Sequence, residues 1–216
     1  MNLENKKINF LGDSITEGTG ASCEENNYVS VFKRLSGAEV RNYGISGTRI
    51  ARQTKKTKEK WDRDFVMRVD EMDADADVVV VFGGTNDYGH GEAPLGTFES
   101  RDIYTFYGAL HVLCQKLLNK YPNGEIVFMT PLHRLGENKL INEVGVRNAA
   151  TLEQYVEAIK KVTKYYAIPT LDLYSLSGIQ PEVEVIKDLY MPDGLHPSDA
   201  GAKKIAQRLL GFLKTL

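Results

Sequence analysis

Four short segments of the chain together carry the residue types that acyl transfer through a serine requires. The segments are Gly-Asp-Ser-Ile-Thr at 12–16, Asn-Tyr-Gly-Ile-Ser-Gly at 42–47, Gly-Gly-Thr-Asn-Asp at 83–87 and Asp-Gly-Leu-His-Pro at 193–197. They hold a hydroxyl nucleophile, candidate donors to an oxyanion, and an imidazole with a carboxylate three residues before it. Each segment alone is a weak signal, but the four in this order predict that chemistry.

Ser14 and His196 are the candidates for the nucleophile and its base. A serine hydroxyl attacks a carbonyl carbon effectively only when a base takes its proton. Asp193 could accept a hydrogen bond from Nδ1–H of His196, which would leave Nε2 to face Ser14. Each of these residues also has a structural explanation, because serine is a common helix N-cap and Pro-Ser-Asp after the histidine can simply begin a helix.

Candidate oxyanion donors lie in the first three segments. Gly47 lets its backbone N–H approach a substrate oxygen, Asn86 offers a side-chain amide, and the N–H of Ser14 lies near a predicted helix start. A turn glycine and a turn asparagine are the simpler interpretations. We expect Asp13 and Asp87 to stiffen the turns that carry these donors.

The elements that must position these residues alternate between short apolar runs and longer helical patterns. Strands are predicted at 8–11, 40–43, 78–82, 126–129 and 170–173. Helical spacing of apolar residues follows within 103–117, 152–166 and 205–213. This alternation predicts one α/β domain over 1–216, a three-layer α/β/α sandwich with a parallel five-stranded sheet.

In open α/β sheets, ligands bind beyond the carboxyl ends of the strands. The first three segments each begin where a predicted strand ends, so we expect them at one edge of the sheet. The stretches 84–100 and 131–150 are predicted to be irregular active-site loops.

Composition argues against several other classes of protein. The chain has 27 Lys and Arg against 29 Asp and Glu, which gives no charge-based reason to expect a nucleic acid partner. No segment approaches the roughly 18 apolar residues of a membrane-spanning helix, and the first residues lack the apolar region of a signal peptide. Two cysteines imply no disulfide framework. We therefore expect a cytoplasmic protein without membrane insertion, and leave a homo-oligomer open.

The four segments, in this order, resemble the four blocks of the GDSL/SGNH hydrolases. That family contains esterases, lipases, thioesterases and carbohydrate deacetylases with a flavodoxin-like three-layer fold. The resemblance extends from position 12 to position 197 and so covers nearly the whole chain. The first block ends in Ile-Thr instead of the family's leucine, which changes none of the catalytic positions.

The resemblance implies a role for each matching residue. Ser14 would be the nucleophile, His196 the general base and then acid, and Asp193 its orienting partner. The N–H groups of Ser14 and Gly47 and the Asn86 amide would form the oxyanion hole. No metal and no organic cofactor is implied, and the partner would be a small-molecule ester.

Two other classes of function remain open from the residues. Asp13, Asn86, Asp193 and His196 are also plausible ligands in a metal-dependent phosphoesterase. A non-catalytic binding protein could instead use the first glycine turn for a phosphate. The second hypothesis leaves Asp193 and His196 without a role.

The substrate is predicted only as a class. Candidate pocket residues in the two loops are Tyr88, His133, Arg134 and Arg147, with His90 nearby. No long apolar lid helix is visible, so we expect a short acyl group, acetyl above all, on a small alcohol or carbohydrate. The alternative is a lipid acylhydrolase of the lysophospholipase or thioesterase type.

Overall fold

A computed structural model gives the structure of residues 1–55, 59–143, 145 and 150–216. Its centre is a sheet of five parallel strands in the order β2-β1-β3-β4-β5. The strands are β1 Lys7–Gly12, β2 Glu39–Gly44, β3 Val78–Phe82, β4 Glu125–Met129 and β5 Thr170–Leu171. Every residue of β3 is buried, as expected for a central strand that is covered on both faces.

Helices cover both faces of this sheet. They are α1 Ser14–Glu17, α2 Tyr28–Ser36, α3 Phe65–Arg68, α4 Thr85–His90, α5 Phe106–Lys120, α6 Leu152–Tyr165, α7 Leu173–Leu176, α8 Glu184–Tyr190 and α9 Asp199–Thr215. Val79 and Val81 of β3 pack into one apolar core with α5 and α6. Val78 and Val80 point the other way, into a second core with α2 and α9. The predicted three-layer α/β/α sandwich with a parallel five-stranded sheet is therefore confirmed.

Register places the ends of three strands side by side. Gly12 at the end of β1 pairs with Gly44 of β2 on one side and with Phe82 of β3 on the other. The chain continues from β1 to β2 on one side and returns to β3 on the other. That change of direction opens a crevice at the carboxyl edge, which is where ligands bind in such sheets.

Two sequence predictions differ from the structure. The fifth strand ends at Leu171 instead of residue 173, because Asp172 caps α7 by accepting a hydrogen bond from Ser175 N at 3.2 Å. The stretch 84–100 is not wholly irregular, since α4 begins at Thr85 directly after Gly84, whose φ is 108°. A glycine pair followed by Thr-Asn-Asp has the composition of a turn, which hides the helix.

Both cysteines are free thiols, with Cys114 buried and Cys23 exposed. Ser198 caps α9 by accepting from Gly201 N at 3.3 Å, as Pro-Ser-Asp indicated. Within the described part of the chain, no helix has both the length and the apolar character needed to cross a bilayer.

Candidate active site

The turn after β1 presents Ser14 at the start of a helix. Asp13, not Ser14, is the N-cap of α1, and its carboxylate accepts from Ile15 N at 3.1 Å. The residue before Asp13 must be a glycine, because a Cβ on Gly12 would lie 1.9 Å from Oγ1 of Thr16. Ser14 is thus the first helical residue and its hydroxyl is not used for capping.

The last loop brings His196 to this hydroxyl. Oγ of Ser14 lies 3.1 Å from Nε2 of His196, and Nδ1 of His196 lies 2.7 Å from Oδ2 of Asp193. Both distances are hydrogen-bond distances. Asp193 also accepts from the backbone N–H groups of Leu195 at 2.8 Å and His196 at 2.6 Å. The sequence-predicted Ser14, His196 and Asp193 therefore form one connected chain of hydrogen bonds.

The charge of Asp193 decides which nitrogen of His196 carries the proton. Partial burial acts to raise the pKa of Asp193, but the hydrogen bonds from His196 and Leu195 outweigh it and hold that pKa below its ordinary value. An ionised carboxylate can only accept, so Nδ1 of His196 must be the donor. Nε2 then carries a lone pair that can accept the Ser14 proton.

Hydrogen bonds between the segment after α1 and the start of α9 stabilise this geometry. Asp199, at the start of α9, accepts from Ser22 N at 2.8 Å, from Ser22 Oγ at 2.7 Å and from Asn26 Nδ2 at 2.9 Å. In the same loop, a Cβ on Gly20 would lie 2.8 Å from Cβ of His196. The segment after α1 therefore packs directly on the histidine loop.

Gly47 and Asn86 lie in the same cleft as Ser14. Gly47 has a φ of 76°, and a Cβ there would come within 2.9 Å of Cβ of Trp61. Asn86 donates from Nδ2 to the Thr48 carbonyl at 3.1 Å, which leaves its second amide hydrogen for a ligand. The three predicted oxyanion donors are thus brought together, with Ser14 N at the start of α1.

Buried charged groups brace these turns. Asp87 accepts from Ile50 N at 2.9 Å and Ala51 N at 2.8 Å, which fixes the loop after Gly47 against α4. Burial raises the pKa of Asp87 to about 7 and that of Asp13 likewise to about 7. The buried Arg68 donates to the Gly12 carbonyl at 3.1 Å and to the backbone oxygen of Tyr43. Asp13 thus caps α1, and Asp87 lies in the first turn of α4, where it holds the loop after Gly47.

The cleft itself has a volume of about 450 Å³. Most of its lining residues are polar by type, but most of the surface that they expose to the cleft is apolar; they are Ser14, Thr19, Ser46, Gly47, Lys60, Trp61, Asn86, His90, Glu143, Leu195 and His196. Lys60 reaches its rim and pairs there with Glu17 at 3.2 Å. Lys60 therefore does not add an unbalanced positive charge at that point.

The predicted pocket residues are mostly elsewhere. Tyr88 and Arg134 line a separate small cavity, where Tyr88 donates its hydroxyl proton to the Gly136 carbonyl and Arg134 pairs with Glu143. His133 hydrogen-bonds Glu137 through Nδ1 at 2.9 Å and packs on the ring of Tyr174. These side chains turn inward to hold the loop that starts at 131. The fourth candidate, Arg147, lies outside the described residues.

Trp61 and Glu143 are cleft residues that the sequence did not single out as walls. Trp61 stands among charged residues that give no signal of a cleft, and only its being the single tryptophan of the chain marks it. Glu143 lies in an irregular loop with no periodic signal. Among the residues that the structure describes, no cluster of three or more His, Cys, Asp or Glu side chains suits a metal ion.

The chain is similar to known proteins in sequence and in fold. The profile of the GDSL-like lipase/acylhydrolase family matches residues 10–204. A crystal structure from Lactobacillus plantarum is 31% identical, with a TM-score of 0.83 over 99% of this chain and 98% of that one. A carbohydrate acetylesterase family member from Sinorhizobium meliloti has the same fold, with a TM-score of 0.66 at 19% identity over 97% and 98% of the two chains.

One curated relative extends the comparison. An acetylxylan esterase from Xylanibacter ruminicola is 24% identical over 96% of this chain. The chain spans only 43% of that relative's length. Because the family profile covers most of the sequence and its fold is the one observed, this chain belongs to the GDSL-like lipase/acylhydrolase family.

Proposed function

We propose that this protein hydrolyses short-acyl esters, acetyl esters above all, of a small alcohol or carbohydrate. The observation that carries the proposal is the chain of contacts from Asp193 through His196 to the hydroxyl of Ser14, at 2.7 and 3.1 Å. That arrangement gives the serine a base and gives the base an orienting carboxylate.

The reaction proceeds in two steps, acylation of Ser14 and hydrolysis of the acyl-enzyme. Oγ of Ser14 attacks the ester carbonyl carbon while Nε2 of His196 takes the hydroxyl proton, and the carbonyl electron pair moves to oxygen. The N–H groups of Ser14 and Gly47 and the Asn86 amide donate to that oxyanion. The intermediate then expels the alkoxide, which takes the proton from His196, and the acyl group stays on Ser14. Water, deprotonated by His196, attacks the acyl-enzyme and releases the acid and the free serine.

The dimensions of the cleft favour a small substrate. A volume of about 450 Å³ lies at the lower part of the range for small-molecule sites, roughly 300–1,000 Å³. Its lining combines hydroxyl, amide and charged residues with the large apolar side chains of Trp61 and Leu195. Two of the similar proteins act, by their names, on acetylated carbohydrates.

The alternatives have less support. For a metal-dependent phosphoesterase, the residues that the structure describes offer no cluster of three or more His, Cys, Asp or Glu side chains placed to hold a metal ion. A phosphate-binding role would leave the Asp193–His196 pair unused. A lipid acylhydrolase remains the second candidate within the same chemistry.

The decisive experiment compares wild type with Ser14→Ala. We expect the variant to lose hydrolysis of p-nitrophenyl acetate while its circular dichroism spectrum and melting temperature stay those of wild type. Turnover retained by the variant would rule out this nucleophile. A profile of p-nitrophenyl esters by chain length tests the acyl preference, and a maximum at eight or more carbons would favour the lipid candidate. Turnover that is lost in EDTA would favour the metal-dependent one.

A further inference from the structure

Trp61 and His90 form one wall of the cleft, next to the loop that carries Gly47. Trp61 is 40% exposed, and its indole ring lies directly against Gly47, where an added Cβ would be 3.2 Å from Cε3. The rings of Trp61 and His90 have centroids 6.3 Å apart and are tilted by 56°. An aromatic face and an imidazole thus adjoin the group that would bind the ester carbonyl.

The buried Arg49 contacts both Trp61 and His90. Arg49 has only 8% of its side chain exposed and forms an ion pair with Asp62 at 3.0 Å. Its Nη2 also donates to the Trp61 carbonyl at 3.3 Å, and its Nη1 lies 3.5 Å from Nδ1 of His90. The position of the wall is therefore fixed by contacts that do not involve a substrate.

The contact between Arg49 and Nδ1 of His90 favours one tautomer of the imidazole. A guanidinium can only donate, so Nδ1 of His90 must present its lone pair to Arg49. The proton of a neutral imidazole then lies on Nε2, the ring nitrogen on the side away from Arg49.

The charge state agrees with this tautomer. Burial is the main cause, and the Arg49 and Arg134 guanidinium groups add to it, in lowering the pKa of His90 to about 4. Glu143 opposes them across the cleft and does not reverse the direction. His90 therefore stays neutral above about pH 5, since an imidazole is mostly deprotonated one unit above its pKa.

We propose that Trp61 and His90 form the subsite for the alcohol part of the substrate, which takes a pyranose ring. The apolar face of the ring stacks on the Trp61 indole, and one of the ring's hydroxyl oxygens accepts a hydrogen bond from Nε2–H of His90. An aromatic ring supplies the large rigid contact area that such stacking uses. This inference rests on the proposed function and specifies the acceptor that the four catalytic segments do not contact.

The test measures kcat/KM for two acetyl esters and uses their ratio. One is a monoacetylated methyl xylopyranoside, which has the ring and free hydroxyls, and the other is ethyl acetate, which has neither. Acetate release is followed in a pH-stat for both. In His90→Leu we expect the ratio of sugar ester to ethyl acetate to fall about tenfold, the usual order for losing one hydrogen bond to a substrate. In Trp61→Ala we expect a fall of similar order.

Two further variants separate recognition from a general structural effect. His90→Gln places an amide N–H near the position of Nε2 and should restore most of the ratio. His133→Leu makes the same change at a histidine outside the cleft and should leave the ratio as in wild type.

The outcomes distinguish this inference from the proposed function. A ratio unchanged in His90→Leu, or a failure of His90→Gln to restore it, would overturn the subsite while ethyl acetate hydrolysis through Ser14 stands. Wild-type protein that cleaves ethyl acetate but not the sugar ester would also overturn it. The proposed function is judged separately. It stands if Ser14→Ala loses hydrolysis of both esters while the His90 and Trp61 variants still cleave ethyl acetate, whatever the result for the subsite.

Discussion

The hydroxyl of Ser14 lies 3.1 Å from Nε2 of His196, although 182 positions separate the two residues in the chain. Two elements create this proximity: β1 delivers the serine to the carboxyl edge of the sheet, and the loop before α9 folds back over it. The hydrogen bonds between Ser22 and Asp199 join the two ends directly. The site therefore depends on how the first and last parts of the chain pack.

Replacement of Asp193 by asparagine tests the tautomer argument. An asparagine at 193 offers an amide where Nδ1–H of His196 now meets a carboxylate, so the ring can turn or change tautomer. We expect kcat to fall between about 10²- and 10⁴-fold, with KM little changed. Steady-state kinetics with p-nitrophenyl acetate measure this.

The matched control for this change is Asp188→Asn, at an exposed carboxylate on α8 that pairs with Lys187. Its kcat should equal that of wild type. A loss of less than about tenfold in Asp193→Asn would mean that the carboxylate does not orient the base.

Gly47→Ala tests whether the backbone N–H of residue 47 contributes to catalysis. Gly47 has a φ of 76°, and a Cβ would collide with Cβ of Trp61 at 2.9 Å. The loop must move, so the N–H at 47 leaves its position, and we expect kcat to fall about 10²- to 10³-fold. Gly145→Ala is the control, because Gly145 has the same φ of 76° and no atom of the described residues lies within 4 Å of an added Cβ. Equal kcat losses in the two variants would contradict the assigned role.

The buried carboxyl of Asp87 predicts a specific dependence of stability on pH. Its pKa rises from 3.8 to about 7 because of burial. Between about pH 4 and pH 7 the folded protein therefore binds a proton that the unfolded chain has released. This group's contribution to the free energy of unfolding is largest at the acid end and falls as pH rises through that window.

Asp87→Asn removes that titration and weakens the bonds to Ile50 N and Ala51 N. We expect the variant to be less stable than wild type, by about 1–3 kcal/mol at pH 5. The difference in free energy of unfolding between wild type and variant should narrow as pH approaches 7. Urea unfolding of both proteins at several pH values measures it, and a gap that widens with pH would show that the carboxylate form is the stabilising one.

Much of the fold follows from the sequence because its signals are local. The unbroken apolar run of 78–82, four valines and a phenylalanine, indicates a strand buried on both faces, and β3 is that strand. The helical spacing in 152–166 has a capping signal at its start, where Thr151 N donates to Gln154 Oε1 at 3.0 Å. Such patterns depend on neighbours in sequence and on burial alone.

The walls of the cleft could not be predicted in the same way. Whether Arg134 faces a substrate or a carboxylate depends on Glu143, which lies nine positions away in a loop without periodicity. Trp61 lines the cleft because Arg49 holds its backbone and Gly47 leaves room for its ring. These are tertiary contacts between loops, and a single sequence carries little signal for them. The residues of the four segments were predictable because each follows a strand or precedes a helix.

Covalent labelling tests the central claim most directly. Wild type, Ser14→Ala and His196→Ala are incubated with a p-nitrophenyl alkylphosphonate, and intact mass and peptide mass spectra are recorded over time. We predict one phosphonyl group on the wild-type protein, located on Ser14, none on Ser14→Ala, and strongly slowed labelling of His196→Ala. Labelling of wild type at another residue, or at an equal rate in Ser14→Ala, would contradict the account.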